Sequence, residues 1–430
     1  MKNLLLALVG VMMALLLIVG CAAPKPAPVE RTVKVAWLAD MTGPTAASVI
    51  PMVWGTQDWF KHVNEQGGIN GVKVDVIWAD AAYKLDRGLE IYSKWAADED
   101  ILCIHCCSTH INDAIADKCA KDEIVLYAAS PAPNAMWPIR WTYSHSAGYG
   151  DQIGSFVDWA LDNWKEKRPF KLGLMYMDMS FGKTIFDGGG VNYCKARGVE
   201  MAGDEPIPPM ATDITAHLAR LSNAKPDYIY FQGTVDLASV ICRDVKKTGF
   251  GIPIMFCANV RTEQLIYLAG KESTEGAICM GWSNPWWGLE PSEMSPGLKK
   301  TADFFAKNRP AEQPATVGVG YYHGLMGGMV TGEAIRLALE KVTAQNLTGR
   351  ALKENGFDRL KNFTDTWELN PGITYTPTDH RGNGMIKIVQ VKGGLGRTIK
   401  DWFKTPYLVK DECIWSKYVK PGRWEDILGK

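Results

Sequence analysis

The sequence lacks an excess of either charge. Its 430 residues include 47 Lys and Arg and 47 Asp and Glu, so the formal net charge is zero at neutral pH. No basic stripe stands out along the chain, whereas domains that bind nucleic acid cluster Lys and Arg on one face. The sequence therefore argues against a nucleic-acid partner.

The chain also lacks an N-terminal apolar run long enough to span a membrane. The run extends only from Leu4 to Val19, and a spanning helix needs roughly 20 apolar residues. Lys2 precedes the run, and a positive end followed by a short apolar segment is typical of a secretory signal peptide. Residues 1–20 are therefore predicted to be a signal peptide.

The end of this segment, Ile18-Val19-Gly20-Cys21, resembles a bacterial lipobox. The resemblance implies cleavage before Cys21 and attachment of lipid to that residue; a plain signal peptide or a signal anchor is the alternative. Residues 21–31 contain three prolines and are predicted to be a lipidated tether that holds a soluble domain off the membrane. The expected location is the bacterial cell envelope, on a periplasmic or extracytoplasmic face.

The cysteines lack the pattern of a disulfide scaffold or a zinc site. Nine remain after Cys21, and an odd number cannot all pair within one chain. Cys103 and Cys106 have Cys-x-x-Cys spacing, but Cys103 lies in a predicted buried strand and no second pair follows, as a structural zinc site requires. We predict no metal and no cofactor; a metal site or a redox-active dithiol over 103–110 is the alternative.

Familiar catalytic motifs are missing as well. Phe181-Gly182-Lys183-Thr184 resembles the end of a phosphate-binding loop, but Met177 occupies the position where that motif requires its first glycine. The seven histidines are scattered along the chain, so no Ser-His-Asp set can be asserted. We therefore expect a protein that is not an enzyme.

What the sequence does contain is an alternation of strands and helices. A strand is predicted over 33–38, a helix over 54–64 and a second strand over 72–78, with a Gly-rich turn before the second strand. Such βαβ units form parallel sheets, which bind ligands at the carboxyl ends of their strands. The alternation continues to about residue 276 and predicts an α/β fold, and a chain of this length suggests two domains.

Several short segments also occur in an order that resembles a known family. They are Thr42-Gly43-Pro44, Asn64-Glu65-Gln66-Gly67-Gly68-Ile69-Asn70-Gly71, Ser108-Thr109, Ala129-Ser130-Pro131-Ala132, Asp213-Ile214-Thr215, Lys225-Pro226-Asp227 and Thr378-Asp379-His380-Arg381-Gly382. In this order they resemble the branched-chain amino-acid-binding (Leu/Ile/Val-type) proteins. These are type I periplasmic binding proteins, the substrate-binding components of ABC transporters.

The resemblance implies two Rossmann-like lobes with parallel sheets, joined by a three-crossover hinge. The crossovers are expected near Ala147, Gly276 and Gly384. The lobes would comprise 32–147 plus 277–384, and 148–276 plus 385–430. Ligand would bind in the cleft between the lobes, which close around it.

In this family one lobe holds the ligand's carboxylate with hydroxyls and backbone N–H groups. Ser108 and Thr109 match that loop, where a strand ends and a helix begins, and the free N–H groups of a helix start favour an anion. The alternative for Ser108 is a helix N-cap. Ser130, Ala132 and Asn134 match the second wall of the pocket, and the alternative there is a Pro-containing turn.

The other lobe departs from the amino-acid pattern. Phe181 stands where the family commonly has tyrosine, and Thr234 lies near the position of a ligand-facing aromatic residue. Asn259 lies near the acidic residue that neutralises the ligand's ammonium group, and neither Asp178 nor Glu263 matches that position. Because a buried ammonium requires a carboxylate partner, a carboxylate without an amine, an amide or an aromatic acid becomes a candidate ligand beside amino acids.

A Trp-rich segment aligns with a cleft-edge loop of the family. Trp282 and Trp286 are predicted to give the cleft an apolar face. The alternative is packing against the long helix predicted over 315–339.

We interpret the chain as an extracytoplasmic solute-binding lipoprotein that captures a small organic solute and delivers it to the permease of an ABC importer. Two alternatives remain at this point. One is a ligand-sensing lipoprotein of the same fold that signals to a membrane partner. The other is an enzyme that uses the Cys–His cluster.

Overall fold

The computed structural model describes residues 31–283, 291–364, 367 and 371–408, and of residues 291 and 314–319 only the backbone. The predicted signal peptide, Cys21 and most of the tether lie outside these ranges, as do Trp286 and residues 409–430. In the described part of the chain, no helix combines the length and the apolar character that a membrane span requires.

The N-terminal part of the chain builds a parallel five-stranded sheet. Its elements are β1 (Arg31–Ala39), α1 (Ala46–Glu65), β2 (Val72–Asp80), α2 (Leu85–Trp95), β3 (Ile101–Cys106), α3 (Thr109–Lys121), β4 (Val125–Ala128), α4 (Pro133–Met136) and β5 (Thr142–Tyr143). The spatial order is β2-β1-β3-β4-β5. Along β1, Val33 and Val35 join one buried cluster whereas Ala36 and Leu38 join another, since helices cover both faces of a parallel sheet.

The next part of the chain builds most of a second sheet. Its elements are α5 (Tyr149–Asn163), β6 (Lys171–Met177), α6 (Ser180–Asp187), α7 (Gly190–Ala196), β7 (Glu200–Ile207), α8 (Thr215–Ala224), β8 (Tyr228–Gln232), α9 (Val235–Thr248), β9 (Ile254–Phe256), α10 (Thr262–Ala269), α11 (Lys271–Thr274) and β10 (Ile278–Gly281). These strands pair in parallel. Gly189 separates α6 from α7, because it adopts φ +74° between them.

The chain then returns to the first sheet before it completes the second. Helices α12 (Pro296–Asn308), α13 (Pro314–Ala338) and α14 (Gly349–Asn355) precede β11 (Met385–Lys392) and β12 (Leu395–Lys404), with short 3₁₀ turns at Pro291–Glu293, Ala344–Asn346 and Phe357–Arg359. The second sheet has the order β12-β11-β10-β9-β8-β6-β7, and only β11 runs opposite to the other strands, so that it pairs antiparallel with both β10 and β12. Two largely parallel sheets confirm the predicted α/β fold class.

Helix α13 packs directly against α1 because both helices carry glycine at the contact. A Cβ added at Gly324 would lie 1.8 Å from the Met52 carbonyl oxygen, and one added at Gly55 would lie 2.3 Å from that of Tyr321. Thr56 donates a hydrogen bond to the Gly324 carbonyl at 2.8 Å. We call the first sheet with α1–α4 and α12–α14 the first lobe, and the second sheet with α5–α11 the second lobe.

The second lobe extends beyond the predicted lobe boundary near Gly276, because it includes β10. That boundary assigned residues from 277 onward to the first lobe, but Ile278 and Cys279 pair with β9 on one side and with β11 on the other. Their side chains are buried in the core of the second lobe. The chain therefore leaves the second sheet after Gly281, several residues later than expected.

Candidate ligand-binding cleft

The candidate site is a cleft between the two lobes, at the carboxyl ends of strands from both sheets. The second lobe lines it with Tyr149, Phe181, Thr234 and Asn259. The first lobe adds four aliphatic hydroxyl side chains, those of Thr45, Ser48, Thr109 and Ser130. Met52, Tyr83 and Cys107 complete the lining. The position agrees with the rule that open α/β sheets bind ligands beyond the carboxyl ends of their strands.

A chain of hydroxyl groups crosses the cleft from one lobe to the other. Thr109 follows β3 and Ser130 follows β4, and their hydroxyl oxygens lie 3.1 Å apart because these strands are neighbours in the sheet. The Ser130 hydroxyl is 2.9 Å from that of Tyr149, which belongs to α5 of the second lobe. Burial raises the pKa of Tyr149, so this phenol keeps its proton at neutral pH. The Tyr149 ring in turn meets Phe181 edge to face, with 5.2 Å between ring centroids.

Five residues predicted from the family resemblance lie in this lining, namely Thr109, Ser130, Phe181, Thr234 and Asn259. Their contact with a ligand stays a prediction. Tyr149, the first residue of α5, belongs to none of the segments of the family resemblance and was not predicted from the sequence. A start signal was present in Gly148 and Asp151, since the Asp151 carboxylate accepts the Gly148 N–H at 3.0 Å at the first turn of α5.

Three predicted contacts lie outside the lining. Ser108 is fully buried at the N-cap position of α3, but its hydroxyl does not cap the helix and has no hydrogen-bond partner within the described ranges. Ala132 is buried at the start of α4. The Asn134 amide donates to Asp113 at 3.2 Å.

Trp282 also differs from the prediction that placed it at the cleft edge. Its ring is buried, 4.6 Å from His323 of α13 and 5.5 Å from His145. The physical reason is that residues just after β10 pass between the lobes, where an indole fills the core. The structure therefore favours the alternative, packing against the long helix.

The described lining of the cleft carries no formal charge. Of the described residues that line it, none is Asp, Glu, Lys or Arg. Asp178 is half exposed and pairs with Lys183 at 2.8 Å. Glu263 is buried with its carboxylate 3.5 Å from Arg261. Neither residue lines the cleft, so no described carboxylate there meets an ammonium group.

Asp40 shapes the rim of the cleft but is not available to a ligand. Its carboxylate is buried after β1 and accepts hydrogen bonds from the Gly43 N–H at 2.6 Å and from the N–H and hydroxyl of Thr45 at 2.8 and 2.6 Å. These bonds hold the Thr45 side chain in the lining.

The pKa values of the thiols near the cleft are raised, whereas those of activated cysteines are lowered. Eight described cysteines are free, and Cys107 is the one among them that is not fully buried. Burial raises the pKa of Cys107 to about 12 and raises that of Cys106 well above its ordinary value, whereas nucleophilic cysteines have a lowered pKa. Within the described ranges, no group of three His, Cys, Asp or Glu side chains is placed to hold a metal ion.

Beside the cleft, the segments that join the lobes form a charged hinge. Arg381, in the third crossing, is buried; it bonds Asp151 of α5 and donates two bonds to Asp379, each at 2.9 Å. Asp151 also accepts the Leu408 N–H at 2.7 Å. Burial raises the pKa of Asp151 to about 6 although Arg381 acts in the opposite direction, so the carboxylate is ionised at neutral pH.

A cluster of buried histidines lies next to this hinge. It consists of His105 from β3, His145 from the first crossing and His323 from α13. The rings of His145 and His323 are 4.2 Å apart, and Nδ1 of His145 is 2.6 Å from the Tyr127 hydroxyl. Burial lowers the pKa of His105 and His323 to about 3 and that of His145 well below its ordinary value, so all three are neutral at pH 7.

Two α/β lobes with a cleft between them resemble the architecture of solute-binding proteins, and sequence comparison agrees. The sequence model of the periplasmic binding protein family matches residues 32–395. The chain therefore belongs to the periplasmic binding protein family.

Among proteins of similar sequence, the Leu/Ile/Val-binding protein BraC3 of Rhizobium johnstonii is 23% identical over 278 residues, which cover 64% of this chain and 72% of the relative. The Leu/Ile/Val-binding protein homolog 1 of Brucella suis is 22% identical over 244 residues, or 55% of this chain and 63% of the relative. The chain thus matches somewhat less than two thirds of the Brucella protein's length.

Solved structures share the fold at low identity. A branched-chain amino-acid ABC transporter protein from Thermus thermophilus with bound valine has a TM-score of 0.75 at 19% identity, covering 88% of this chain and 97% of that one. A fatty acid ABC transporter substrate-binding protein from Thermomonospora curvata has a TM-score of 0.74 at 20% identity, covering 87% and 92%. These matches confirm the predicted type I periplasmic binding protein fold.

Proposed function

We propose that this protein is an extracytoplasmic lipoprotein that captures a small organic acid or amide without an α-ammonium group and delivers it to an ABC importer. The single observation that carries the proposal is the lining of the cleft. It presents hydroxyls and aromatic rings from both lobes and, among the described residues, no charged side chain.

The first lobe supplies the groups suited to a carboxylate or amide oxygen. The hydroxyls of Thr109 and Ser130 lie side by side at the start of α3, where backbone N–H groups are free to donate. The second lobe supplies Tyr149 and Phe181. Because a solute contacts both lobes only when the cleft is closed, its binding shifts the population toward the closed state.

The absence of a carboxylate from the described lining supports a ligand without an amine. An α-ammonium buried in this cleft would lose its hydration and gain no described anionic partner, which is strongly unfavourable. The two proteins of similar structure illustrate both ligand types, since one is described with bound valine and the other is a fatty acid ABC transporter substrate-binding protein. The absence of charged side chains from the described lining supports the second type, a carboxylate head group without an ammonium group.

The N-terminal pattern supports the anchoring part of the proposal. Cleavage before Cys21 and lipidation there would tether the binding domain, through residues 21–31, near a permease in the membrane. Mass spectrometry of the mature N-terminus tests this step. We expect a lipidated Cys21 in the membrane fraction, and release of the protein from that fraction when Cys21→Ala is combined with a cleavable secretion signal.

A thermal-shift screen with matched pairs tests the solute class. Valine is compared with 3-methylbutanoate, and phenylglycine with phenylacetate, because each pair differs only in the α-ammonium. A ligand at 100 times its Kd stabilises the folded state by about 2.7 kcal/mol, which raises the melting temperature. We expect the acids to shift the melting temperature and the amino acids to shift it less. Larger shifts with the amino acids would refute the ligand class, and no shift with any organic solute would refute solute capture.

A further inference from the structure

We infer that Tyr83 is a ligand-contacting, specificity-determining residue at the mouth of the cleft and that it selects solutes with a flat, unsaturated body. The inference rests on the proposed function, because it requires a solute in the cleft. Tyr83 follows β2, belongs to none of the motifs of the family resemblance, and was not predicted from the sequence.

The backbone around Tyr83 is held in an unusual conformation. Ala82 and Tyr83 have φ of +50° and +55°, so two consecutive residues with side chains occupy the left-handed region, which is unfavourable for L-residues. Such outliers persist where surrounding structure imposes them and often mark functional sites.

The surrounding bonds that impose this conformation are present. The Asp80 carboxylate accepts the N–H groups of Ala82 and Met41, each at 2.9 Å, and the Thr42 hydroxyl at 2.7 Å. Gly43 packs so closely that a Cβ there would lie 2.8 Å from the Ala82 carbonyl oxygen. The loop after β2 is thus clamped to the rim loop after β1, and the clamp fixes where the Tyr83 ring points.

The ring points across the cleft toward the second lobe. Its hydroxyl lies 3.4 Å from the Ser180 hydroxyl at the start of α6, and its ring centroid lies 4.5 Å from that of His110. Nδ1 of His110 is also 3.4 Å from the Ser180 hydroxyl. We call Tyr83, His110 and Ser180 the gate residues. They bridge the lobes at a second place, separate from the Ser130–Tyr149 bond.

The gate residues add an aromatic surface and no formal charge at neutral pH. Burial lowers the pKa of His110, which keeps the imidazole neutral, and burial raises the pKa of Tyr83 to about 12, which keeps the phenol protonated. Tyr83 therefore joins Tyr149 and Phe181 as the third ring of the lining, and the three rings come from the loop after β2, from α5 and from α6. Rings pack best against other flat groups, edge to face or offset.

The test compares two acids that differ in flatness. Phenylacetate and cyclohexylacetate share a carboxymethyl group on a six-membered ring, but only the first ring is planar. Their Kd values are measured by isothermal titration calorimetry on the wild-type protein and on the Tyr83→Phe and Tyr83→Leu variants. Tyr267→Leu is the matched control, because Tyr267 is an exposed tyrosine on α10 outside the cleft lining.

The expected pattern follows from the loss of the ring. Tyr83→Leu should raise the Kd for phenylacetate about tenfold, the upper range for one aromatic contact, and that for cyclohexylacetate less than about threefold. Tyr83→Phe keeps the ring and loses only a long hydroxyl contact, so both Kd values should change less than about threefold. The control should change neither Kd.

The outcomes separate this inference from the proposed function. Suppose that the wild-type protein binds phenylacetate and that Tyr83→Leu raises the Kd values of both acids equally or changes neither. The role of Tyr83 is then refuted, while solute capture stands. If the wild-type protein binds neither acid, the gate inference is refuted, and the thermal-shift comparison of 3-methylbutanoate with valine decides the proposed solute class separately. The melting temperatures of the variants report whether the fold is intact.

Discussion

The cleft and the hinge both lie between the two lobes, but they differ in charge and in how their polar groups are paired. The described lining of the cleft has no charged side chain, and its hydroxyls bond each other across the lobes. The adjacent hinge buries Arg381 between Asp151 and Asp379. The histidine cluster leaves both ring nitrogens of His323 without a hydrogen-bond partner in the described part of the chain.

The difference separates interactions that stabilise the fold from interactions that are available for ligand binding. The ion pairs of the hinge are fixed parts of the fold, and their removal should affect stability. The hydroxyls and rings of the cleft can exchange their mutual contacts for contacts to a solute, and their removal should affect binding. A variant in one region that produces the effect assigned to the other would break this comparison.

The largest effect is expected from Asp151→Ala. The substitution leaves the buried Arg381 with only Asp379 and removes the acceptor of the Leu408 and Gly148 N–H groups. Breaking one side of a buried pair destabilises the folded state by about 3–5 kcal/mol. Urea unfolding measures the free energy directly.

Asp303→Ala is the control for that variant, because Asp303 forms an exposed i,i+4 pair with Lys299. Exposed pairs of this kind contribute only about 0.3–0.5 kcal/mol. A loss below about 1 kcal/mol for Asp151→Ala, on the same scale as the exposed pair, would contradict the role assigned to the hinge.

The second effect is a pH dependence that His323→Leu should reduce. Burial lowers the pKa of His323 to about 3 from the ordinary 6.5. His323 therefore binds a proton more readily in the unfolded chain than in the folded protein. The part of the free energy of unfolding that depends on neutral His323 is fully present above pH 6.5 and is lost as the pH falls toward 3. The loss is about 1.4 kcal/mol per pH unit, or about 2 kcal/mol at pH 5.

The measurement is urea unfolding of the wild-type protein and the variant at pH 7.5 and at pH 5. At pH 7.5 the two should differ little, since the substitution replaces unpartnered buried nitrogens by an apolar group. At pH 5 the variant should retain about 2 kcal/mol more of its stability. Parallel losses in both proteins would show that His323 does not carry the acid sensitivity.

A smaller effect, confined to binding, is expected from Thr109→Val. The variant keeps the shape of the side chain and removes the hydroxyl that lies beside Ser130. The Kd for 3-methylbutanoate should rise about tenfold, whereas the free energy of unfolding should change by less than about 1 kcal/mol. Ser108→Ala, at the adjacent buried position outside the lining, should leave the Kd unchanged. Equal changes of the Kd in the two variants would contradict the assignment of Thr109, rather than Ser108, to the ligand-binding lining.

The fold could be predicted from the sequence because alternating strands and helices and a fixed order of motifs are local signals. The sheet to which β10 belongs could not, since that depends on pairing with β9 and β11, which are distant in the sequence. Trp282 illustrates a related limit, because a tryptophan on a connecting segment suits a cleft edge and a core equally well. Tyr83 was missed because its direction depends on left-handed backbone at two non-glycine residues, which residue types do not signal.

The most direct test of the central claim is the ratio of two Kd values in the wild-type protein and in Asn259→Asp. Asn259 lines the cleft near the position where the family resemblance places a carboxylate. We predict that the wild-type protein binds 3-methylbutanoate more tightly than valine. Asn259→Asp should shift the ratio toward valine by about tenfold or more, since it restores a charged partner for the ammonium. A wild-type protein that prefers valine, with a ratio that Asn259→Asp leaves unchanged, would contradict the account.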